Sequence, residues 1–472
     1  MPPIRSKRIP PPKAYKKAIN EIAIYIASKP SLLQKIRDNK IDSLVSSIKR
    51  EFCNVADGVN DGIFNDLAAF LNHPKQMKEP NSYAELRESM KQRKEEKERI
   101  KRIKALFVEE CNLKEDDARR DKYLEQFTIV EVTRYQTPYR PPSNWVYESE
   151  QIHDIWQDHL QLGKPKNKRL KVPPMLLLEP QYLQLDVDED QNCIFIDSKT
   201  KEIVGLVARN WMAEDRKETL DWVNEIIIKE CQIRKSIRLE DTGKLCQMGY
   251  SAGSRSKASF DWVRNITSKK NRMEDFEHLG SYIFALLWNM SKGRLPKPII
   301  EDITGFCNST LIPRMNYAAK DRATSQICGN YTVRVQDDDI EFDCVLMAPP
   351  SGFMAYNYAR GTHNEKCPHK YALFWTTART YGSEEGGHFF IADYGIRIKQ
   401  SANSVVVWKP TDFHGTTLSV KGPTNESDSH QIGMSIVTPV QLIKLWEKYQ
   451  QDQITADNIE AILVESDESE EE

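Results

Sequence analysis

The sequence of 472 residues has no long apolar run and no paired cysteine motif. No run approaches the roughly 18 apolar residues that a membrane-spanning helix needs. The nine cysteines are scattered, and no two have the C-x-x-C spacing of zinc ribbons, which favours reduced thiols. The N-terminus is basic and rich in proline without an apolar core, so it does not match a secretory signal. These absences predict an intracellular protein that has no membrane partner.

A large excess of charge of either sign is also absent, since the formal net charge is −2. The chain as a whole is therefore not a non-specific nucleic-acid binder, but its charges are unevenly placed. Basic clusters occur at residues 164–171, 253–257 and 267–272, and each is a candidate for contact with DNA phosphates. The first cluster also has the composition of a nuclear-import signal. Solvated surface is the alternative interpretation of all three clusters.

Composition divides the chain into five parts. We predict a disordered basic arm (1–13), a helical N-terminal domain (14–125), a Pro-rich irregular linker (126–184), a jelly-roll oxygenase-like domain (185–445), and a C-terminal helix with an acidic disordered tail (446–472). Apolar residues at spacings of three and four indicate the first helices, and prolines interrupt the linker. The helical N-terminal region is a candidate surface for a protein partner.

The C-terminal half predicts a mixed α+β fold. Residues 193–208 form two β-rich runs around a polar turn, which is typical of a hairpin. Apolar helical patterns follow over 275–318. From residue 331 onward, six or seven short strands with short turns indicate a sandwich, a barrel or a jelly roll.

Three potential metal ligands lie in this β-rich region. His363 and Glu365 stand two residues apart, just before the apolar run YALFWTT, and His414 follows the strand SVVVW about fifty residues later. Two histidines and one carboxylate on one face of an ion leave positions open for oxygen and a cosubstrate, as in non-haem iron(II) oxygenases. We therefore predict that His363, Glu365 and His414 bind Fe²⁺. A solvated polar loop is the alternative.

Other ligand-type side chains nearby are less regular in their spacing. Cys367 and His369 are interpreted as loop residues, and His388 as a packed or pocket-lining histidine. A zinc site formed by Cys328, Cys344, Cys367 and His369 is a further alternative, although these residues lack compact ligand spacing.

The segment EEGGHFFIADYGIRIKQSANSVVVWKPTDFHGTTL resembles the TET/JBP-type iron(II)- and 2-oxoglutarate-dependent dioxygenases, and most closely their fungal, transposon-associated branch. In that family, a Gly-Gly strand, a further glycine, four hydrophobic residues and a histidine follow one another. Gly386, Gly387, Gly395 and His414 hold these places here. The resemblance covers about 185–440. It implies a double-stranded β-helix (jelly-roll) core with flanking helices, and His363 falls where the family has the first residue of its H-x-D motif.

Two residues depart from the family pattern. Glu365 stands where the family has Asp, so its side chain is one methylene longer. Gly433 stands where the family has the arginine that holds the far carboxylate of 2-oxoglutarate, a task that suits a fork-shaped cation. The nearby basic residues that could bind the cosubstrate instead are Arg379, Arg397 and Lys421.

The resemblance implies oxidation of a methylated base in DNA, such as 5-methylcytosine, after the base is flipped out of the duplex. Tyr356, Tyr358 and Phe413 are candidates for stacking on such a base. Because of the two departures, two alternatives stay open. One is a catalytically degenerate jelly-roll protein that serves as a binding or assembly module. The other is an iron oxygenase with a different substrate or cosubstrate. Action on DNA would predict a nuclear location.

Overall fold

The computed structural model describes residues 13–53, 62–71, 83–162, 174–238, 240–254, 257–267, 274–319, 327–423 and 430–451. It divides the chain into two compact units, Met1–Leu106 and Phe107–Glu472. Most of the predicted basic arm, the cluster at 164–171 and most of the acidic tail lie outside the described residues, and the other two basic clusters lie partly outside them.

The described residues contain eleven α-helices. They are α1 (Lys13–Ala27), α2 (Pro30–Arg37), α3 (Ile41–Glu51), α4 (Ile63–Leu71), α5 (Ala84–Glu110), α6 (Asp117–Leu124), α7 (Glu150–Leu162), α8 (Lys217–Ile233), α9 (Glu274–Arg294), α10 (Lys297–Thr310) and α11 (Val440–Gln450). None of these helices combines the length and the apolar character that a membrane span requires.

The first unit is helical, and its helices bury one apolar side each. In α2, the residues Leu32, Leu33 and Ile36 are buried, which is the three-and-four spacing of one helix face. Helix α2 begins at Pro30, a residue suited to the first turn because the N–H that it lacks would have no partner there. The helices predicted for this region are therefore present, and their apolar faces form a common core.

The boundary between the units differs from the predicted one at residue 125. The second unit begins at Phe107, so α6 belongs to it. Arg120 of α6 is buried and donates from Nη2 to the carbonyl oxygen of Lys292 in α9 at 2.6 Å. The amino-acid composition carries no information on such tertiary contacts. The prediction from composition therefore placed α6 with the N-terminal helices.

The described part of the second unit contains seventeen strands. They are β1 (Thr128–Val132), β2 (Trp145–Tyr147), β3 (Met175–Leu177), β4 (Leu185–Val187), β5 (Cys193–Asp197), β6 (Ile203–Ala208), β7 (Thr242–Ser254), β8 (Lys257–Trp262), β9 (Cys328–Val335), β10 (Asp338–Leu346), β11 (Ser351–Ala359), β12 (Ala372–Arg379), β13 (Phe389–Ile391), β14 (Ile396–Ile398), β15 (Ser404–Trp408), β16 (His414–Thr416) and β17 (Gln431–Ile436).

Two of the sheets are large. One has nine strands in the order β1-β5-β6-β15-β12-β17-β11-β7-β8, and the other has four in the order β16-β13-β14-β4. The predicted hairpin is the antiparallel pair β5–β6. The segment predicted as an irregular linker instead contributes β1, which pairs in parallel with β5 at the edge of the nine-stranded sheet. Its prolines lie outside this short strand, so they do not interrupt the pairing.

The nine-stranded and four-stranded sheets share one apolar core. Phe195 and Ala372 of the larger sheet and Phe389, Ile396 and Ile398 of the smaller sheet are buried in the same cluster. Inner faces that interdigitate in this way bring two sheets about 10 Å apart. The mixed α+β class predicted from the sequence is thus confirmed, and the space between these sheets contains the candidate site.

Candidate metal centre

His363 and His414 face each other across neighbouring backbone segments. The N–H of each residue donates to the carbonyl oxygen of the other, both at 2.8 Å. Directly opposed residues in an antiparallel pair present their side chains on the same face. The two ring centroids are accordingly 4.4 Å apart. The structure therefore brings together two histidines that lie about fifty residues apart in the sequence, and we call them the histidine pair.

Both imidazoles of the histidine pair are fixed in the same way. The Nδ1 atom of His363 lies 2.8 Å from the carbonyl oxygen of Gly361, and Nδ1 of His414 lies 2.8 Å from that of Asp412. A carbonyl oxygen only accepts, so each Nδ1 carries the proton and each Nε2 keeps a lone pair. Burial lowers the pKa of both rings, for His363 well below its usual value. Both histidines are therefore neutral at physiological pH, the form that binds metals.

Glu365 lies beside the histidine pair but has another partner. Its Oε1 is 3.7 Å from Nε2 of His363, and the same oxygen accepts from Nη1 of Arg360 at 2.5 Å. Arg238 lies further away, with Nη2 at 3.9 Å from that oxygen. The carboxylate is thus next to the expected third ligand position and is neutralised by a guanidinium.

The donor set fits a divalent ion in its chemistry. Two neutral imidazole nitrogens and one carboxylate are the ligands of mononuclear ferrous sites. Across the described ranges, no three His, Cys, Asp or Glu side chains already stand where they could hold a metal ion together. Glu365 would therefore have to exchange Arg360 for the ion, and the assignment of His363, Glu365 and His414 as ligands stays a prediction.

Arg360 also connects Glu365 to a second acid. Its Nε lies 3.6 Å from Oδ2 of Asp241, and that oxygen accepts from the hydroxyl of Tyr358 at 2.5 Å. Burial raises the pKa of the Asp241 carboxyl and that of the Tyr358 hydroxyl. Arg360 is thus placed between two carboxyl groups, one of which belongs to the candidate centre.

The histidine pair and Glu365 line a cavity of about 800 Å³. This volume is in the range of small-molecule sites. The cavity has aromatic and polar walls. The aromatic residues are Phe353, Tyr358, Phe374, Phe389 and Trp408, and the polar or small residues include Gln247, Thr376, Gln400, Gln431 and Gly433. The charged residues on its wall, besides Glu365, are Arg238, Arg360 and Lys366.

The residues predicted to stack on a base are not all at the cavity. Tyr358 lines it. Tyr356 is buried in β11 and does not belong to the wall. Phe413 packs against a separate apolar cluster that includes Phe390 and Leu178. The structure therefore brings one of the three to the wall of the cavity.

The three basic residues predicted to bind the cosubstrate do not line the cavity. Arg397 forms ion pairs with two carboxylates. Arg379 donates to Oε1 of Gln431 at 2.5 Å and to backbone carbonyl oxygens. Lys421 lies 3.8 Å from Glu385. Each candidate already has protein partners away from the histidine pair.

Sequence reasoning missed three residues of the wall, namely Arg238, Arg360 and Gln400. Arg360 stands only three positions before His363, so its proximity was a usable signal. Arg238 and Gln400 lie far from the ligand motif in the chain, and only the packing of the sheets brings them to the cavity. Cys367 and His369 contact each other and Thr438 instead of the histidine pair.

The fold and the site define a mixed α+β protein with a histidine pair at a cavity between two sheets. No protein-family model and no curated protein matches the chain. Among solved structures, the chain is similar to NgTET1 in complex with 5mC DNA, with 10% identity over 62% of this chain and 90% of that chain. The TM-score of 0.33 makes this likeness distant, and no functional argument follows from it.

Proposed function

We propose that the protein is an iron(II)-dependent dioxygenase with a jelly-roll core, whose metal ligands are His363, His414 and Glu365. The observation that supports this proposal is the histidine pair. Two neutral imidazoles, each held by a backbone carbonyl at Nδ1, keep their Nε2 lone pairs beside a carboxylate and a cavity. Metal-binding histidines in proteins are typically fixed through the other ring nitrogen in this manner.

Each group at the candidate centre would have a separate role in catalysis. A bound ferrous ion would supply the activation of oxygen. The bonds from Nδ1 to Gly361 and Asp412 would keep the two rings oriented toward the ion. Glu365 would become the third ligand when Arg360 releases it. The aromatic wall would keep bulk water away from the reacting groups.

We propose a 2-oxo acid such as 2-oxoglutarate as the cosubstrate and a methylated base in DNA, for example 5-methylcytosine, as the substrate. A cavity of about 800 Å³ has room for both. The base would have to leave the duplex, and Tyr358 on the wall would offer it a stacking face. Arg238 and Arg360 on the same wall carry the charge that phosphate contacts need. Such a substrate would require a nuclear location.

Two observations favour a second candidate function, a binding module without catalysis. Glu365 is paired with Arg360 instead of standing free for an ion. In addition, Gly433 provides no cation where the resemblance predicts the cosubstrate anchor. In this alternative, the cavity binds a ligand that it does not oxidise.

Metal binding tests the first candidate directly. We expect the full-length protein to bind Mn²⁺, a redox-stable substitute for Fe²⁺, in anaerobic calorimetric titrations. His414→Ala and Glu365→Gln should weaken this binding at least tenfold because each removes one ligand. His159→Ala, which changes an exposed histidine on α7, should leave it unaltered. Unchanged Mn²⁺ affinity in His414→Ala would refute the assignment.

Turnover separates the two candidates. With Fe²⁺ and 2-oxoglutarate, an active enzyme should release succinate and oxidise 5-methylcytosine in an oligonucleotide, and His414→Ala should do neither. If the protein binds the metal but converts no 2-oxo acid to the carboxylic acid one carbon shorter, the binding module is the better description.

A further inference from the structure

Gln400 is a buried side chain on the cavity wall that the proposed metal chemistry does not use. It follows β14 and is 1% exposed. Its Oε1 accepts from the hydroxyl of Thr376 at 2.8 Å, and its backbone N–H donates to Nδ1 of His388 at 2.9 Å. His388 is itself held, because its Nε2 donates to the carbonyl oxygen of Ser383. Gln400 is therefore fixed at both its backbone and its amide.

The amino group of this amide has no acceptor. Within the part of the chain that the structure describes, Nε2 of Gln400 is buried and makes no hydrogen bond. A buried donor without a partner is unfavourable. Thr376 occupies the oxygen side of the amide, so the two N–H groups are the unused donors of Gln400, a residue of the cavity wall. A ligand that supplies an acceptor there would satisfy them.

This end of the cavity is remote from the histidine pair. The ring of Trp408 lies 5.6 Å from that of His414, and Trp408 pairs with Ala372 at the start of β12. Thr376 lies four residues further along β12, which is about 13 Å at the rise of a strand. Gln400, bonded to Thr376, therefore lies on a part of the cavity wall away from the histidine pair.

The wall beside Gln400 is uncharged. Thr376, Gly433 and Ala355 lie opposite one another on three adjacent strands, and all three line the cavity. Directly opposed residues share a sheet face, so they form one row of small side chains. A Cβ atom at Gly433 would lie 2.6 Å from the carbonyl oxygen of Trp375, which leaves no space for a longer side chain.

The cationic side chains of the wall belong to its other side. The segment from Arg360 to Glu365 pairs with β16, and β16, β13 and β14 are consecutive strands. Three strand spacings separate that segment from β14, or about 14 Å. Arg379, on β12, donates to Gln431 and to carbonyl oxygens. A carboxylate at the Gln400 end would lose its hydration without gaining a direct ion pair, whereas an uncharged carbonyl needs only a donor.

We propose that Gln400 determines ligand specificity by donating to an uncharged carbonyl or amide oxygen at the end of the ligand remote from the histidine pair. This inference rests on the proposed function, which takes the ligand to be a 2-oxo acid. Within the 2-oxo acids and their oxalyl-amide analogues, it ranks those whose far end is polar and uncharged above 2-oxoglutarate, whose far end is a carboxylate. The absence of an arginine at position 433 then reflects a different cosubstrate and not the loss of cosubstrate binding.

Three stable analogues of equal length test the proposal. N-oxalylglycinamide has an uncharged amide at its far end, N-oxalylglycine has a carboxylate, and N-oxalylpropylamine has a methyl group. Each is titrated into the full-length protein in the presence of Mn²⁺, and binding is measured by calorimetry. We expect the amide to bind about tenfold more tightly than either of the others, since a satisfied buried donor typically contributes a factor of this order.

Variants assign the preference to one side chain. Gln400→Leu and Gln400→Glu, which both remove the donor, should each weaken the amide about tenfold and leave N-oxalylpropylamine nearly unchanged. Gln151→Leu, at an exposed position on α7, should behave like the unaltered protein. Equal weakening of all three analogues in Gln400→Leu would indicate a merely structural role and overturn the proposal. Tighter binding of N-oxalylglycine by the unaltered protein would overturn it as well.

Failure of the metal centre can be told apart from failure of this inference. Mn²⁺ is first titrated alone. If it does not bind, the assignment of the metal ligands is refuted, but the role of Gln400 is not. The analogues are then titrated without metal. A preference for the amide that disappears in Gln400→Leu would still support the role of Gln400, and the absence of such a preference would overturn it.

Discussion

Replacing Gly433 by arginine, the residue that the family resemblance leads one to expect, should destabilise this protein instead of creating a cosubstrate anchor. Gly433 lies in β17 between β11 and β12. Its added Cβ atom would meet the carbonyl oxygen of Trp375 at 2.6 Å, a distance that real Cβ contacts essentially never show. That oxygen belongs to the backbone of β12, so no rotation of a side chain relieves the contact.

The magnitude follows from the need to shift a strand. Overpacking of this kind typically costs about 1–3 kcal/mol. For the second unit, Phe107–Glu472, the melting temperature should fall by roughly 1–4 °C. Gly433→Ala has the same Cβ contact without the long cationic side chain. It should therefore lose most of the stability that Gly433→Arg loses. Gly305→Ala in α10 is the matched control, because its Cβ would meet nothing within 4 Å and alanine favours the helix by about 0.5–1 kcal/mol.

Thermal unfolding followed by circular dichroism measures the three variants under one condition. We expect Gly433→Ala and Gly433→Arg to melt below the unaltered protein, and Gly305→Ala at or above it. A calorimetric titration of 2-oxoglutarate into Gly433→Arg completes the test. The reasoning is refuted if Gly433→Arg keeps the original melting temperature and binds 2-oxoglutarate more tightly.

Three further predictions concern the charged and titratable groups around the site. Arg360→Gln should raise the affinity for Mn²⁺ about fivefold, since it releases Glu365 and removes a competing cation; calorimetry checks this, with Arg140→Gln outside the cavity as the control. Arg397→Ala should destabilise the protein by about 3 kcal/mol in denaturant unfolding, because it leaves two carboxylates unpaired, and the folded variant should bind Mn²⁺ normally. Burial lowers the pKa of His369 to about 4. Its neutral form is favoured in the folded protein, so stability should decrease as pH falls from about 6.5 to 4, where only the unfolded chain binds the proton. In His369→Gln, the free energy of unfolding should fall by about 3 kcal/mol less over the same pH range than in the unaltered protein. An equal fall in both proteins would contradict the assignment.

The sequence predicted those parts of the fold that local patterns determine. The hairpin β5–β6 and the strand β15 are recognisable because apolar runs and turn residues alternate there. His414, which lies six residues after the end of β15 and begins β16, was picked out by its place after that strand pattern. Strand β1 was not, because its pairing with β5 joins segments about sixty residues apart and leaves no local periodicity.

The candidate site was predictable in part for a similar reason. His363 and His414 were found by spacing, and the backbone bridge between them is consistent with that spacing. The partner of Glu365 was not found, because the sequence does not say whether a carboxylate meets an ion or a guanidinium. Gln400 was not found either, since its importance depends on burial and on an amide that lacks an acceptor.

The backbone bridge between His363 and His414 would also link the proposed metal binding to folding. It joins segments about fifty residues apart, so an ion shared by the two rings would act as a cross-link that closes a long loop. An ion that binds only the native chain would stabilise it by about 2.7 kcal/mol when its free concentration is one hundred times its dissociation constant. Supply of the metal would then affect how long the protein persists, whether or not the centre turns over.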